Sequence, residues 1–218
     1  MPRYSHILFD LDGTLIDSAP AILASFKAAF TACALTPVRA ISADIIGPPL
    51  TETLQILSGS VDPALINRLS EAFKTSYDST GYRATTAYAG VTELLISLKT
   101  AGCTLAIATN KRLYPSRLIL DFLGWQNYFS QVYALDLFSP RLPDKATLLT
   151  RLIEDHAIPK TAAVYIGDRA EDGHAAQANA LPFIAANWGY GSLSAAELLP
   201  GWKIASTPEI LLNQLFAT

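Results

Sequence analysis

Asp10 and Asp12 stand two residues apart at the end of a short apolar run, residues 6–9 (HILF), and Gly13 follows them. This spacing leaves one carboxylate to attack an electrophile or hold a metal ion while the other transfers a proton. Gly13 permits a tight turn whose backbone N–H groups can cradle phosphate oxygens. Taken alone, two aspartates in a loop more often serve a structural or solvated role, so the pattern gains meaning only from what surrounds it.

Three apolar runs end abruptly in polar residues: 6–9 in Asp10, 104–108 in Thr109 and Asn110, and 162–166 in Gly167 and Asp168. Each reads as a buried strand feeding a loop. Between them lie amphipathic stretches of helical period at 91–99, closed by Gly102, at 113–123, closed by Gly124, and at 146–156, closed before Pro159. Alternating strand and helix predicts an α/β fold, a doubly wound parallel sheet with right-handed crossovers and ligands bound beyond the carboxyl ends of the strands. Asp10, Thr109 and Asp168 then meet at one rim. Residues 17–86 break the alternation, with helical patterns at 19–34 and 62–82 and no convincing buried strand, and read as a helical insertion. Its middle, IIGPPLTET at 45–53, carries the turn chemistry of a fixed loop that could face the rim.

The whole stretch DLDGTLIDS, residues 10–18, resembles the first motif of the haloacid dehalogenase superfamily. That resemblance asks for a Thr or Ser after a second strand, a Lys near the start of a later helix, and acidic residues after a further strand. Thr109 in AIATNK, Lys145 in PDKATLL, and Asp168 with Asp172 in GDRAEDGHAAQANA answer in order, and AANWGYG at 185–191 is similar to the segment after the next strand. The resemblance covers essentially the whole chain. It implies a Rossmann-like core of residues 1–16 and 87–218 and a small all-helical cap of residues 17–86 that closes over the site.

The resemblance implies that Asp10 attacks phosphorus to form an aspartyl-phosphate, and that Asp12 protonates the leaving oxygen and then activates water. A phosphate and two carboxylates at separations of roughly 4 Å require a cation. Mg²⁺ is implied, held by the carboxylates of Asp10 and Asp168 and the backbone carbonyl of Asp12, with Asp172 in support. Thr109 and the N–H of Asn110 would hold phosphoryl oxygens, and Lys145 would neutralise charge. Lys145 lies in SPRLPDKATLL rather than in the Gly-Lys-Pro-x-Pro form common in relatives, which leaves Arg141 as the nearby basic alternative, and Glu171 competes with Asp172 for the supporting place. The loop Gly47, Pro48, Pro49 and Leu50 resembles that of phosphoglycolate-phosphatase-like and pyrophosphatase-like members and is expected to contact substrate, unless it is an ordinary interhelical turn. Lys111 and Arg112 could reach a substrate carboxylate or second phosphate, or could be solvated. His6, His156 and His174 lack metal-ligand spacing, and Tyr128, Phe129 and Trp188 read as core or interface aromatics, Trp188 with a lesser expectation of lying near the rim.

The expected function is Mg²⁺-dependent hydrolysis of a small phosphorylated metabolite. The alternatives are a pyrophosphatase or phosphomutase of the same fold, and, less readily, a non-catalytic binding module. Halide displacement is disfavoured, because it has no alkoxide for Asp12 to protonate. The net charge of −3 and the absence of a Lys/Arg run argue against a nucleic-acid scaffold as partner. Cys33 and Cys103, each in apolar sequence, read as reduced packed thiols, and the chain shows neither signal peptide nor membrane-length apolar run, so a cytoplasmic location without membrane contact is expected. A homodimer is compatible with all of this.

Overall fold

The computed structural model describes residues 2–191 and 193–216. The strands are β1 (His6–Phe9), β2 (Ile16–Asp17), β3 (Thr86–Ala87), β4 (Thr104–Thr109), β5 (Phe129–Ala134), β6 (Ala163–Gly167), β7 (Phe183–Ala186) and β8 (Lys203–Ala205). The helices are α1 (Ala19–Ala32), α2 (Leu50–Ser58), α3 (Pro63–Ser79), α4 (Val91–Thr100), α5 (Leu113–Phe122), α6 (Lys145–Asp155), α7 (Ala170–Ala178) and α8 (Pro208–Phe216). Six strands form one sheet in the order β5-β4-β1-β6-β7-β8, with every neighbouring pair parallel. This is the doubly wound α/β architecture expected from the alternation.

The two faces follow from the pleat. Ile7 and Phe9 of β1 pack with Leu94, Leu95 and Leu98 of α4 and Leu211 and Leu215 of α8. Leu8 points the other way, to Leu148, Leu149 and Leu152 of α6 and Ala175 and Ala176 of α7. Side chains at successive strand positions leave opposite faces, so each apolar run without polar interruption is buried on both sides.

Register fixes the rim. Phe9 pairs with Ile107 of β4 and Ile166 of β6, so Asp10 leaves the centre of the sheet with Thr109 and Asp168 on either side of it. Asp10 N–H donates to the Ile166 carbonyl at 2.8 Å, which carries the β1–β6 pairing up to the first aspartate.

Between β2 and β3 the described residues form α1, α2, α3 and two 3-10 turns, without a strand. The chain leaves and returns through an antiparallel ribbon, Ile16 opposite Ala87 and Asp17 opposite Thr86. Phe26 of α1 and Phe73 of α3 meet at 4.6 Å between ring centroids, and Phe73 stacks on Tyr77 at 5.4 Å. The 45–53 segment is not a loop throughout. Leu50 opens α2, whose first turn is fixed by the Pro49 carbonyl accepting from the Thr53 N–H at 3.1 Å. Pro48 and Pro49 supply the turn chemistry, but a proline just before a helix starts it as readily as it closes a loop.

Candidate active site

Asp10, Asp168 and Asp172 each offer a carboxylate oxygen within 4.8 Å of the others, and all three side chains are buried. Lys145, the first residue of α6, completes the group: its Nζ donates to Asp172 Oδ1 at 2.5 Å and lies 3.1 Å from Asp10 Oδ1. The lysine is held there because Asp144 caps the helix, its carboxylate accepting from the Thr147 N–H at 2.7 Å. The basic alternative, Arg141, is exposed and lines a different cavity.

Asp168 and Asp172 are aimed by backbone amides. Asp168 Oδ2 accepts from the N–H groups of Tyr190 at 2.9 Å and Gly191 at 3.0 Å, and Asp172 Oδ2 accepts from the Arg169 N–H at 3.0 Å. Asp168 Oδ1 and Asp10 Oδ1 are buried without a hydrogen-bond donor. Burial pushes the Asp10 carboxyl up to about 7; Lys145 opposes the rise and Asp172, Asp168 and Asp12 add to it. Asp168 is raised to about 6, again by burial first and by Asp172 next. Burial alone would lower Lys145, but the carboxylates of Asp10 and Asp172 outweigh it and hold the ammonium well above its ordinary value. Three carboxylates facing one ammonium leave a deficit of positive charge. Hard oxygen donors, with Asp168 Oδ1 lacking a partner and Asp10 Oδ1 facing only the Lys145 ammonium, are what a divalent cation takes, so the site can hold a metal ion.

The side chain of Asp12 does not belong to that cluster. Its Oδ1 accepts from Ser18 Oγ, and Lys111 Nζ donates to Oδ1 at 3.0 Å and Oδ2 at 3.2 Å, so a metal role for Asp12 is left to its backbone carbonyl alone. Lys111 is neither solvated nor free for substrate: it is buried against Asp12 and sits 4.7 Å from the centroid of the Tyr77 ring. Burial works against its charge, and Asp12 reverses that and raises it. Arg112 likewise is taken, making a two-pronged pair with Asp78 of α3 at 2.8 and 2.5 Å.

Thr109 is buried at the end of β4, its hydroxyl accepting from the Lys111 N–H at 3.2 Å. Asn110 bridges to the helical segment, Nδ2 donating to the Gly47 carbonyl at 3.2 Å and to Glu171 Oε1 at 3.1 Å. Glu171 therefore reaches Asn110, while Asp172 occupies the carboxylate cluster. Gly47 has φ +128°, and a Cβ there would meet Arg169 Nε at 2.8 Å, so only glycine lets this loop lie on the rim. Gly47, Pro48 and Leu50 line one cavity with Asp12 and Asn110. Pro49 does not: it lines the neighbouring cavity with Lys74, Arg112 and Arg141.

One contributor was absent from the sequence expectations. Tyr190 Oη accepts from the N–H groups of Ser18 at 2.7 Å and Ala19 at 2.8 Å and donates to Asp17 Oδ1 at 2.8 Å. Its own N–H holds Asp168, so this one residue ties the acidic cluster to the ribbon and the start of α1. Trp188 lies at the rim too, its indole N–H donating to the Thr14 carbonyl at 2.9 Å. The close approach is made by glycines: a Cβ on Gly13, where φ is +84°, would fall 2.3 Å from Asp168 Oδ2. The WGYG alternation after β7 was the available signal. Tyr190→Phe keeps the ring and strands the Ser18 N–H, while the Ala19 N–H keeps Asp17 Oδ1 at 3.1 Å, so a loss of about 1–3 kcal/mol is expected in urea unfolding. An unchanged midpoint would show that water replaces the hydroxyl.

The chain matches the family model described as "Haloacid dehalogenase-like hydrolase" over residues 7–186. It is 35% identical over 187 residues to the phosphoglycolate phosphatase of Xylella fastidiosa, a match covering 85% of this chain and 81% of that one. It is 32% identical over 188 residues to the tyrosine-protein kinase PtkA of Mycobacterium tuberculosis, covering 85% of this chain but only 62% of the relative's length. Among solved structures, a predicted phosphatase from Clostridium acetobutylicum superposes with a TM-score of 0.86 at 29% identity, covering 97% of each chain. The structure of M. tuberculosis PtkA gives a TM-score of 0.80 at 28% identity, covering 99% of each. Motif order, sheet topology and the buried acidic cluster agree with these matches, and the chain belongs to the haloacid dehalogenase-like hydrolase family.

Proposed function

We propose that the protein is a Mg²⁺-dependent phosphatase that hydrolyses a small phosphomonoester in the cytoplasm through an aspartyl-phosphate on Asp10. The carrying observation is the partition of two neighbouring aspartates: Asp10 sits between Lys145 and the acidic cluster, and Asp12 is turned to the opposite side, onto the wall of a cavity. This partition supports a reading in which one carboxylate meets phosphorus and the other the leaving group. Residues 1–16 and 87–218 act as the catalytic core, and residues 17–86 as a cap that excludes water during transfer.

An Asp10 oxygen attacks phosphorus, the bond from phosphorus to the ester oxygen breaks, and Asp12 delivers its proton to that oxygen. Asp12, now a carboxylate, removes a proton from water as the water oxygen bonds to phosphorus and the Asp10–phosphorus bond breaks, releasing phosphate. Ser18 and Lys111 hold Asp12 on the cavity wall, and the Lys111 ammonium favours its carboxylate, the form that takes the proton from water in the second half-reaction. Lys145, Thr109 and the Asn110 N–H would receive phosphoryl oxygens, and Lys145 offsets charge that spreads over them. Asp10 and Asp168, with the Asp12 carbonyl and support from Asp172, would hold Mg²⁺, which supplies the charge neutralisation that a phosphate beside carboxylates requires.

The test is phosphate release from phosphoglycolate, sugar phosphates, nucleotides and pyrophosphate, with and without Mg²⁺, for the protein and its Asp10→Asn variant. Release that needs both Mg²⁺ and Asp10 is the expected result. Transfer of the γ-phosphate of ATP to a protein tyrosine, phosphate retention with a bisphosphate activator, or cleavage of pyrophosphate alone would instead identify a kinase, a mutase or a pyrophosphatase.

A further inference from the structure

The cavity that reaches Asp12 encloses about 70 Å³. Its lining is largely apolar where the helical segment faces it, through Ile22, Phe26, Ile46, Leu50 and Phe73, and the polar exceptions there, Thr53 and Tyr77, are uncharged. Its cations are Lys111 and Arg112, and neither is free. To pair with a substrate anion, Lys111 would abandon Asp12 and the Tyr77 ring, and Arg112 would abandon Asp78. Each exchange uncovers one carboxylate to cover another, so nothing is gained by admitting a second negative charge.

We propose that the leaving group is a short, uncharged, largely apolar alcohol whose carbon chain fills this cavity, and that substrates bearing a second anion are disfavoured. The inference rests on the phosphatase reading, because it takes the oxygen protonated by Asp12 as the point where the alcohol enters. The cavity opens to solvent, so it sets the chemistry of the leaving group rather than a fixed chain length. A largely apolar wall whose unspent donor is the uncharged Tyr77 hydroxyl rejects an anion more strongly than it prefers one methylene to another, because the carboxylate would lose its hydration with no free cation in return. The neighbouring cavity, with Lys74, Arg112 and Arg141, is the competing place for a distal anion. It is reached past Asn110 and Leu50 and does not touch Asp12.

Phosphonates separate recognition from turnover, since their carbon–phosphorus bond is not hydrolysed. With Mg²⁺ present, calorimetric titration with propylphosphonate and with 2-carboxyethylphosphonate compares the same chain with and without a terminal carboxylate. Propylphosphonate is expected to bind at least tenfold more tightly. Leu50→Lys, which places a free ammonium at the first turn of α2 on a half-buried position, is expected to narrow or reverse that ratio. Tighter binding of the carboxylate ligand, lost in Arg141→Ala, would overturn the proposal and assign the distal anion to the neighbouring cavity. Equal binding of the two ligands would overturn it as well. The phosphatase reading fails on a different result, the absence of Mg²⁺- and Asp10-dependent phosphate release from any ester.

Discussion

Asp10→Asn abolishes phosphate release and, in the absence of metal, makes the folded protein more stable at about pH 8. The two effects have one cause. Asp10 is buried among Asp168, Asp172 and Asp12, and its carboxyl is raised from 3.8 to about 7. A carboxyl with a raised pKa binds its proton more tightly when folded than when unfolded, so stability falls as pH rises between about 4 and about 7 and the full penalty persists above that. Asparagine carries no charge to bury. In EDTA at about pH 8 the variant should therefore exceed the parent by an amount on the order of a few kcal/mol, and the difference should vanish towards pH 4. Mg²⁺ should reverse the order: an ion that binds only the folded state stabilises the parent, and the variant, lacking one ligand, gains less. Loss of the nucleophile should cost at least about 10⁴-fold in phosphate release. Urea unfolding at the two pH values, with and without Mg²⁺, checks the stability half. A variant less stable than the parent at about pH 8 without metal would mean that Asp10 bears no charge penalty and is not poised to ligate a cation.

Such a site was legible in the sequence only where chemistry and local structure coincide. The runs that became β1, β4 and β6 end abruptly in the residues that meet at the rim, because a strand buried on both faces admits no polar residue until it leaves the core. Strand β5 lies at the sheet edge, and its FSQVYA pattern mixes buried and exposed positions, so no apolar run marked it. β8 is three residues long, too short for periodicity to register, and β7, no longer than β1, was implied only by the resemblance of the segment at 185–191. The choice between Glu171 and Asp172 needed the start of α7. Asp172 stands at the third position of that helix and closes a capping arrangement with Arg169, which turns it inward and leaves Glu171 to reach Asn110. The orientation of Asp12 and the pairing of Lys111 and Arg112 were not legible at all. Their partners, Ser18, Tyr77 and Asp78, come from the ribbon end and from α3, and only the packing of the helical segment on the rim brings them near.

Lys145→Met should be among the most destabilising single substitutions in the protein, and its cost should depend on pH. The ammonium is fully buried between Asp10 and Asp172, and its removal leaves those two carboxylates without their cation, Arg169 acting on Asp168. Breaking a buried pair by deleting one partner costs about 3–5 kcal/mol, because the surviving charge keeps its desolvation penalty and loses its compensation. Lys145 has its folded value raised, so its own contribution is complete through neutral pH and is lost only in strong alkali. The pH dependence of the variant therefore comes from the carboxylates. Without Lys145, Asp10 loses the charge that restrained its rise and Asp168 keeps only the larger restraint from Arg169, so both bind protons more tightly and give a stability that climbs more steeply than the parent's as pH falls from about 8 to about 5. Asp172→Asn in the same background should restore part of the loss, since it removes one of the uncompensated charges, and the double variant should be more stable than the sum of the single effects predicts. Saturating Mg²⁺ should also restore part, by supplying the cation that the lysine no longer provides. A loss that is the same at both pH values and indifferent to Asp172→Asn would assign Lys145 to packing of its aliphatic stem, and would leave the acidic cluster without the electrostatic balance on which the phosphatase reading depends.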